Sequence, residues 1–287
     1  MIPAAFDYVV APSVEQAIGL LREHGDDAKL IAGGHSLVPM MKLRLAAPKM
    51  LIDIGRIPNL AYIRQDGQHI AIGALTTHHM LETSSLLRER LTALAEAAAT
   101  VGDAQVRNRG TIGGSIAHAD PAADLPAAVL ALEAEIVARG PNGERRIPAD
   151  EFFIDLMTTA LASDEVLTEV RFPIATRIGS AYQKFANKAS HYAIVGVAAA
   201  VELDAGGVCR RITIGVTGAG AKAVRARAVE DALRGKALTD EAIRAAAERA
   251  GDDVEPLGDL HASEEYRAHL TKVYIRRAVS AAAQRAR

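Results

Sequence analysis

Short apolar bursts separated by polar turns run through the first part of the chain. Phe6–Val10, Ala28–Ile31 and Met50–Ile54 read as strands. Between the first two, Ala17, Leu20 and Leu21 supply the apolar face of a helix opened by Pro12-Ser13. Ser13 with Gln16 three positions on has the spacing of a capping box, and Gly25 is the expected stop. Met40–Leu45 reads as a short helical or irregular piece, which makes residues 1–55 a β-α-β-loop-β unit. A second unit, residues 56–176, opens with alternating segments Ala61–Arg64 and His69–Gly73 about a turn at Asp66-Gly67, a hairpin pattern. Thr76 or Thr77 caps a helix through Leu87, and Leu91–Val101 and Pro121–Ala134 are further helices, the last entered through Asp124 and Pro126. Glu135–Ala138 and Arg145–Ile147 bracket the turn Pro141-Asn142-Gly143, and Glu165–Phe172 is a strand that Pro173 ends.

The pattern changes near Ala181. Ala181–Ala186, Ala193–Glu202 and Arg210–Val216 predict three antiparallel strands, and Val224–Leu233, Thr239–Ala250 and Ser263–Arg285 predict trailing helices. They form a third unit, residues 177–287, and the fold class is α+β.

Composition narrows the function. A net charge of −2 over 287 residues gives no global field to recruit nucleic acid or an anionic membrane. The longest apolar runs, such as Ala193–Val201, are far too short to span a bilayer. Met1-Ile2-Pro3 lacks the basic and apolar regions of a signal peptide, so the expected compartment is the cytoplasm. Cys209 is the single cysteine, which excludes an internal disulfide and any Cys-ligated iron–sulfur cluster carried wholly by this chain.

Two glycine segments carry the candidate chemistry. Ala32-Gly33-Gly34-His35-Ser36-Leu37 follows the strand Ala28–Ile31, and Thr111-Ile112-Gly113-Gly114-Ser115 repeats paired glycines with a flanking hydroxyl. One Gly-Gly alone is an ordinary strand-ending turn. Two such loops suit a long ligand with a central diphosphate, because glycines let backbone N–H groups converge on an anion with no Cβ in the way. Neither segment contains Lys or Arg, so the anion would be met by dipoles; Arg107 and Arg109 precede the second. Neither is a G-x-G-x-x-G dinucleotide fingerprint or a P-loop. His78-His79 and His118-x-Asp120 have no third ligand at suggestive spacing and are set aside as metal sites. Ser36 and Ser115 lack the strand–elbow–helix frame of a nucleophile, and no catalytic residue is assigned.

Read together, the two segments resemble the paired flavin-binding motifs of the FAD-binding medium subunits of molybdenum hydroxylases, the xanthine oxidase family. Within it the similarity is greatest to aerobic carbon monoxide dehydrogenases. Phe6-Asp7-Tyr8, Gln105–Arg109, Asp120-Pro121, Glu265-Tyr266-Arg267 and Arg276-Arg277-Ala278 extend the resemblance over nearly the whole chain. Asn187–His191 departs from the basic, Gly-Asp-containing run of carbon monoxide dehydrogenases. The resemblance implies a PCMH-type FAD-binding fold of two α/β subdomains and a C-terminal flavoprotein domain. FAD would be held non-covalently by Ala32 to Leu37 and Thr111 to Ser115. Val101, Asp124, Leu167 and Lys184 fall at further flavin contacts, and Tyr192 where an aromatic approaches the ring.

The resemblance also implies partners: an iron–sulfur small subunit with [2Fe–2S] clusters and a large subunit with the molybdopterin cofactor, as a dimer of heterotrimers. Electrons would pass from the clusters to this FAD and on to an acceptor such as a quinone, with membrane association only through partners. Alternatives are the flavin subunit of an aldehyde or N-heterocycle dehydrogenase, or a free-standing flavin reductase.

Overall fold

The computed structural model describes residues 2–175 and 178–286. Met1 and the expected junction at 176–177 lie outside the described residues.

The N-terminal unit holds β1 (Asp7–Val10), α1 (Val14–His24), β2 (Ala28–Ile31), α2 (Leu37–Lys42) and β3 (Met50–Asp53). β3 lies between β1 and β2, parallel to both, with Leu51 opposite Tyr8 and Ile52 opposite Leu30. Ser13 caps α1 as expected, its hydroxyl accepting from the Gln16 N–H at 3.2 Å. Val14, Ala17, Ile18 and Leu21 bury the inner face of α1 against Ile52 and Ile54. α2 starts earlier than its apolar pattern suggests. Pro39 sits in its first turn, where a missing N–H has no intrahelical partner to lose.

The second unit runs β4 (Ile63–Asp66), β5 (His69–Gly73), α3 (His78–Thr83), α4 (Ser85–Arg90), α5 (Thr92–Ala99), α6 (Ala104–Arg107), α7 (Ile112–His118) and α8 (Leu125–Ala131). It continues with β6 (Glu135–Gly140), β7 (Gly143–Pro148), α9 (Ala149–Phe152), β8 (Phe153–Asp155), β9 (Thr158–Thr159) and β10 (Val166–Pro173). β4-β5-β10-β6-β7 form an antiparallel sheet, and β8 and β9 a separate ribbon. The single helix expected from Thr76 or Thr77 to Leu87 is two. Ser84 leaves the helical region at ψ 119 and its hydroxyl caps α4 through Leu87 N–H.

The second glycine segment is also corrected, from a loop to the first turns of α7. Helix propensity disfavours two adjacent glycines, but Thr111 supplies the cap by accepting from Gly114 N–H at 3.1 Å. Gly113 is glycine for packing, since a Cβ there would stand 2.6 Å from the Ala74 methyl.

The third unit contains β11 (Ile178–Ala186), β12 (Ala193–Leu203), β13 (Cys209–Thr217), β14 (Val224–Arg225), α10 (Arg227–Leu233), α11 (Asp240–Ala247) and α12 (Glu264–Arg285). Its sheet has the three expected antiparallel strands and a fourth. β14 pairs with Gly215 and Val216 where the sequence reads as the start of a helix; two residues are too short to show alternation.

α12 covers β11 and β12. On the opposite side, Tyr182, Ala198 and Ala200 join the core that α8 shares with Ile70, Ile136 and Phe172. Gly215 makes that approach possible, because a Cβ there would fall 2.1 Å from the Ala127 carbonyl oxygen. Thr217 Oγ1 lies 2.8 Å from the carbonyl oxygens of Pro121 and Ala123 and ties β13 to the turn before α8. The third unit is thereby docked against the segment that carries Asp124.

Candidate functional site

The two glycine segments meet edge to edge. A Cβ on Gly33 would stand 2.1 Å from the Arg109 carbonyl oxygen and 2.9 Å from Gly110 Cα. Gly110 in turn leaves 2.7 Å between a notional Cβ and the His78 imidazole. Gly33, Gly110 and His78 are therefore stacked, and the β2–α2 loop is pressed on the segment leading into α7. Backbone pairing fixes the other side: His78 N–H donates to Gly110 O at 3.0 Å and Ile112 N–H to Thr76 O at 3.0 Å.

A cleft of about 650 Å³ opens along this seam. Ala32, Gly33, Gly34, His35, Ser36 and Leu37 line it from the first unit, and Val101, Thr111, Gly113, Gly114, Ser115, Asp124 and Leu167 from the second. Tyr192 joins the lining from the third unit. The structure thus brings together nearly every residue singled out in the sequence. Two fall outside the lining. Ile112 is fully buried in the core, and Lys184 stands behind Asp124.

The two segments differ in what they can offer. In the second, Ile112, Gly113, Gly114 and Ser115 spend their N–H groups on Thr76 O, Ala74 O, Thr111 Oγ1 and Thr111 O. The expectation that both segments present a set of free donors is corrected on this side. In the first, the N–H groups of Gly33, Gly34, His35 and Ser36 have no acceptor among the described residues. Ser36 precedes α2 without capping it, which leaves its hydroxyl unspent. Gly34 holds φ +77, a conformation L side chains rarely adopt. Gly33 is glycine for a different reason than expected, the approach of the other segment rather than of a ligand.

Asp124 lines the cleft close enough to Tyr192 for its charge to act on that phenol. Its carboxylate accepts from Tyr182 OH at 2.6 Å and from Lys184 Nζ at 2.9 Å, all three buried. Lys184 also donates to Thr100 O at 2.9 Å, bracing the turn that holds Val101. Burial pushes the Asp124 carboxyl up, and the Lys184 ammonium and the Tyr182 phenol pull it back. Tyr192 is 43% exposed, on a tight loop in which Asn187 N–H donates to Tyr192 O and His191 holds φ 61. Partial burial, with Asp120 and Asp124 nearby, raises its phenol.

Of the paired histidines, His79 is half exposed beside Glu82 and His78 is buried in the cleft wall. Burial lowers the His78 imidazole to about 4, with His35 and Arg107 adding to the effect. Arg107 pairs with Glu82 at 2.8 Å instead of reaching the cleft. Sequence reading weighed His78 only as half of a metal pair, set that aside, and gave Gly110 no role beyond opening the second glycine segment. Their stacking depends on the pairing of Thr77 with Thr111, which has no local signal.

Comparison with known proteins assigns the family. A family model, the FAD binding domain in molybdopterin dehydrogenase, matches residues 4–175, and the CO dehydrogenase flavoprotein C-terminal domain matches residues 180–282. The carbon monoxide dehydrogenase medium chain of Hydrogenophaga pseudoflava is 45% identical over 283 residues, 98% of each chain. The chain belongs to the FAD-binding subunits of the molybdenum hydroxylases.

Within that family, subunit alpha of the 6-hydroxypseudooxynicotine dehydrogenase complex of Paenarthrobacter nicotinovorans is 44% identical over 288 residues, 100% of this chain and 97% of its own. A solved structure of the Hydrogenophaga pseudoflava carbon monoxide dehydrogenase, lacking the Mo-pyranopterin moiety, matches with a TM-score of 0.96 at 47% identity over 99% of both chains. This molybdenum hydroxylase subunit is accordingly the flavoprotein component of an oxidoreductase, with FAD as its cofactor. Among the described residues, no helix is long and apolar enough to cross a membrane.

Proposed function

We propose that the cleft between the glycine segments is the FAD site and that the chain is an electron relay within a larger complex. The observation that carries this reading is the run of unspent N–H groups from Gly33 to Ser36 along the cleft. Free donors in sequence suit an anionic diphosphate, and the volume is in the usual range for cofactor sites, about 300–1,000 Å³. FAD bound there would supply redox chemistry, taking electrons from [2Fe–2S] clusters of an iron–sulfur partner served by a molybdopterin subunit and passing them to an external acceptor such as a quinone. Gly34 and Ser36 would hold the diphosphate. Asp124, fixed by Tyr182 and Lys184, and Tyr192 would orient the flavin end. Lys184 would act through Asp124 and the turn at Val101 rather than by contact.

Cys209, buried in β13, is the single thiol and cannot anchor a cluster, so the clusters belong to a partner. The two relatives are equally similar to this chain, yet one is named for carbon monoxide and the other for 6-hydroxypseudooxynicotine. That supports a division in which the substrate is chosen on another subunit. Each of the three units would keep its own role: the first two grip the cofactor and the third closes its flavin end.

The test is titration of the flavin-free chain with FAD. Ser36→Ala should weaken binding by about 1.5–3 kcal/mol, the worth of a hydrogen bond to a charged group. Unchanged affinity would remove Ser36 from the site.

A further inference from the structure

Within the cleft wall, His78 is 5% exposed, and its Nδ1 is one of the few buried polar atoms with no partner among the described residues. The other ring nitrogen is in a different position. Nε2 makes no hydrogen bond among the described residues and is not enclosed, lying on the ring edge that faces Gly110 at the cleft.

A buried N–H without an acceptor costs more than a buried lone pair without a donor, so orphaned N–H groups are the rarer of the two. The ring proton therefore belongs on Nε2. Which nitrogen carries it is set by what the other one meets, and here the other one meets nothing.

We propose that His78 is a further cofactor-binding residue, a neutral Nε2–H donor to an anionic oxygen of the FAD diphosphate, presented across Gly110 beside the free N–H groups of the first glycine segment. This rests on the cleft being the FAD site. Burial together with His35 and Arg107 keeps the ring uncharged, in line with two glycine segments that contain no Lys or Arg. The anion would be met throughout by neutral dipoles. Arg107, whose charge helps to lower this imidazole, is itself paired with Glu82.

Three substitutions separate donation from packing. His78→Phe keeps a flat ring against Gly110 and removes both nitrogens. His78→Gln places an amide N–H near Nε2, and His78→Asn places one near Nδ1. Titrated with FAD, the Phe and Asn variants should lose about tenfold or more in affinity, and Gln should stay within about threefold of the parent. Nitrogen chemical shifts of the flavin-free parent should show the proton on Nε2, and adding FAD should move that resonance.

Parent-like binding by His78→Phe, rescue by Asn instead of Gln, or a proton on Nδ1 would each overturn the proposal. If a variant does not fold, the parent's nitrogen shifts decide. Gly34→Val, measured alongside, protects the distinction from the cleft reading: its loss of FAD with normal binding by His78→Phe sinks the His78 donor alone, whereas normal binding by both sinks the cleft as well.

Discussion

Gly33→Ala should loosen the seam between the glycine segments although it adds one methyl group. The ideal Cβ would stand 2.1 Å from the Arg109 carbonyl oxygen, 2.8 Å from its carbon and 2.9 Å from Gly110 Cα. All three are backbone atoms, so no rotamer change can make room. Ordinary contact begins near 3.4 Å, so the two backbones must part by about 1.3 Å, the difference between those distances. Overpacking of this kind costs about 1–3 kcal/mol. At about 2–4 °C per kcal/mol for a chain of this class, the midpoint of thermal unfolding should fall by several degrees.

The displaced segment is the one with the free N–H groups, so FAD content after purification should fall too. Gly19→Ala is the control, since Gly19 lies on the exposed face of α1 with no heavy atom within 4 Å of a Cβ. It should stabilise by roughly 0.5–1 kcal/mol and leave flavin content unchanged. Gly33→Ala with parental melting and full flavin would refute the close seam.

Two further outcomes follow from buried groups. Lys184→Met strands the Asp124 carboxylate in a site where both side chains are 5% exposed or less, which should cost about 3–5 kcal/mol; adding Asp124→Asn should recover most of it in urea unfolding, and a simple sum of two losses would deny the coupling. His78 sets a pH dependence. Its imidazole is lowered by burial from 6.5 to about 4, so the unfolded chain protonates first as the pH falls. The contribution is complete above pH 6.5 and drains away towards pH 4, amounting to about 2 kcal/mol lost by pH 5. Unfolding free energies of the parent and His78→Phe should therefore converge or cross on acidification, and parallel curves would contradict the buried neutral ring.

The sequence made local features legible and left non-local ones dark. Ser13 and Gln16 announce the start of α1, alternation announces β5, and an unbroken apolar run announces β12. The sixteen positions carried over by resemblance gather on one cleft apart from Ile112 and Lys184. What stayed hidden depends on partners far away in the chain. Thr111 looks like a hydroxyl offered to the cofactor until it is seen capping α7. Gly33 looks like a ligand-clearing glycine until Arg109 is found against it. Lys184 looks like a flavin contact until Asp124 and Thr100 take its hydrogen bonds. In each case a residue type suited to an anion site has been committed to building that site.

As proposed above, this subunit would carry FAD in the cleft and receive electrons only through partner chains. The most direct measurement is anaerobic reduction of the purified, FAD-loaded chain, followed by flavin absorbance. Alone, it should be bleached by a chemical reductant and ignore the substrate of its complex. With the iron–sulfur and molybdopterin subunits added, the same substrate should bleach it. Reduction by that substrate in the isolated chain would contradict the relay.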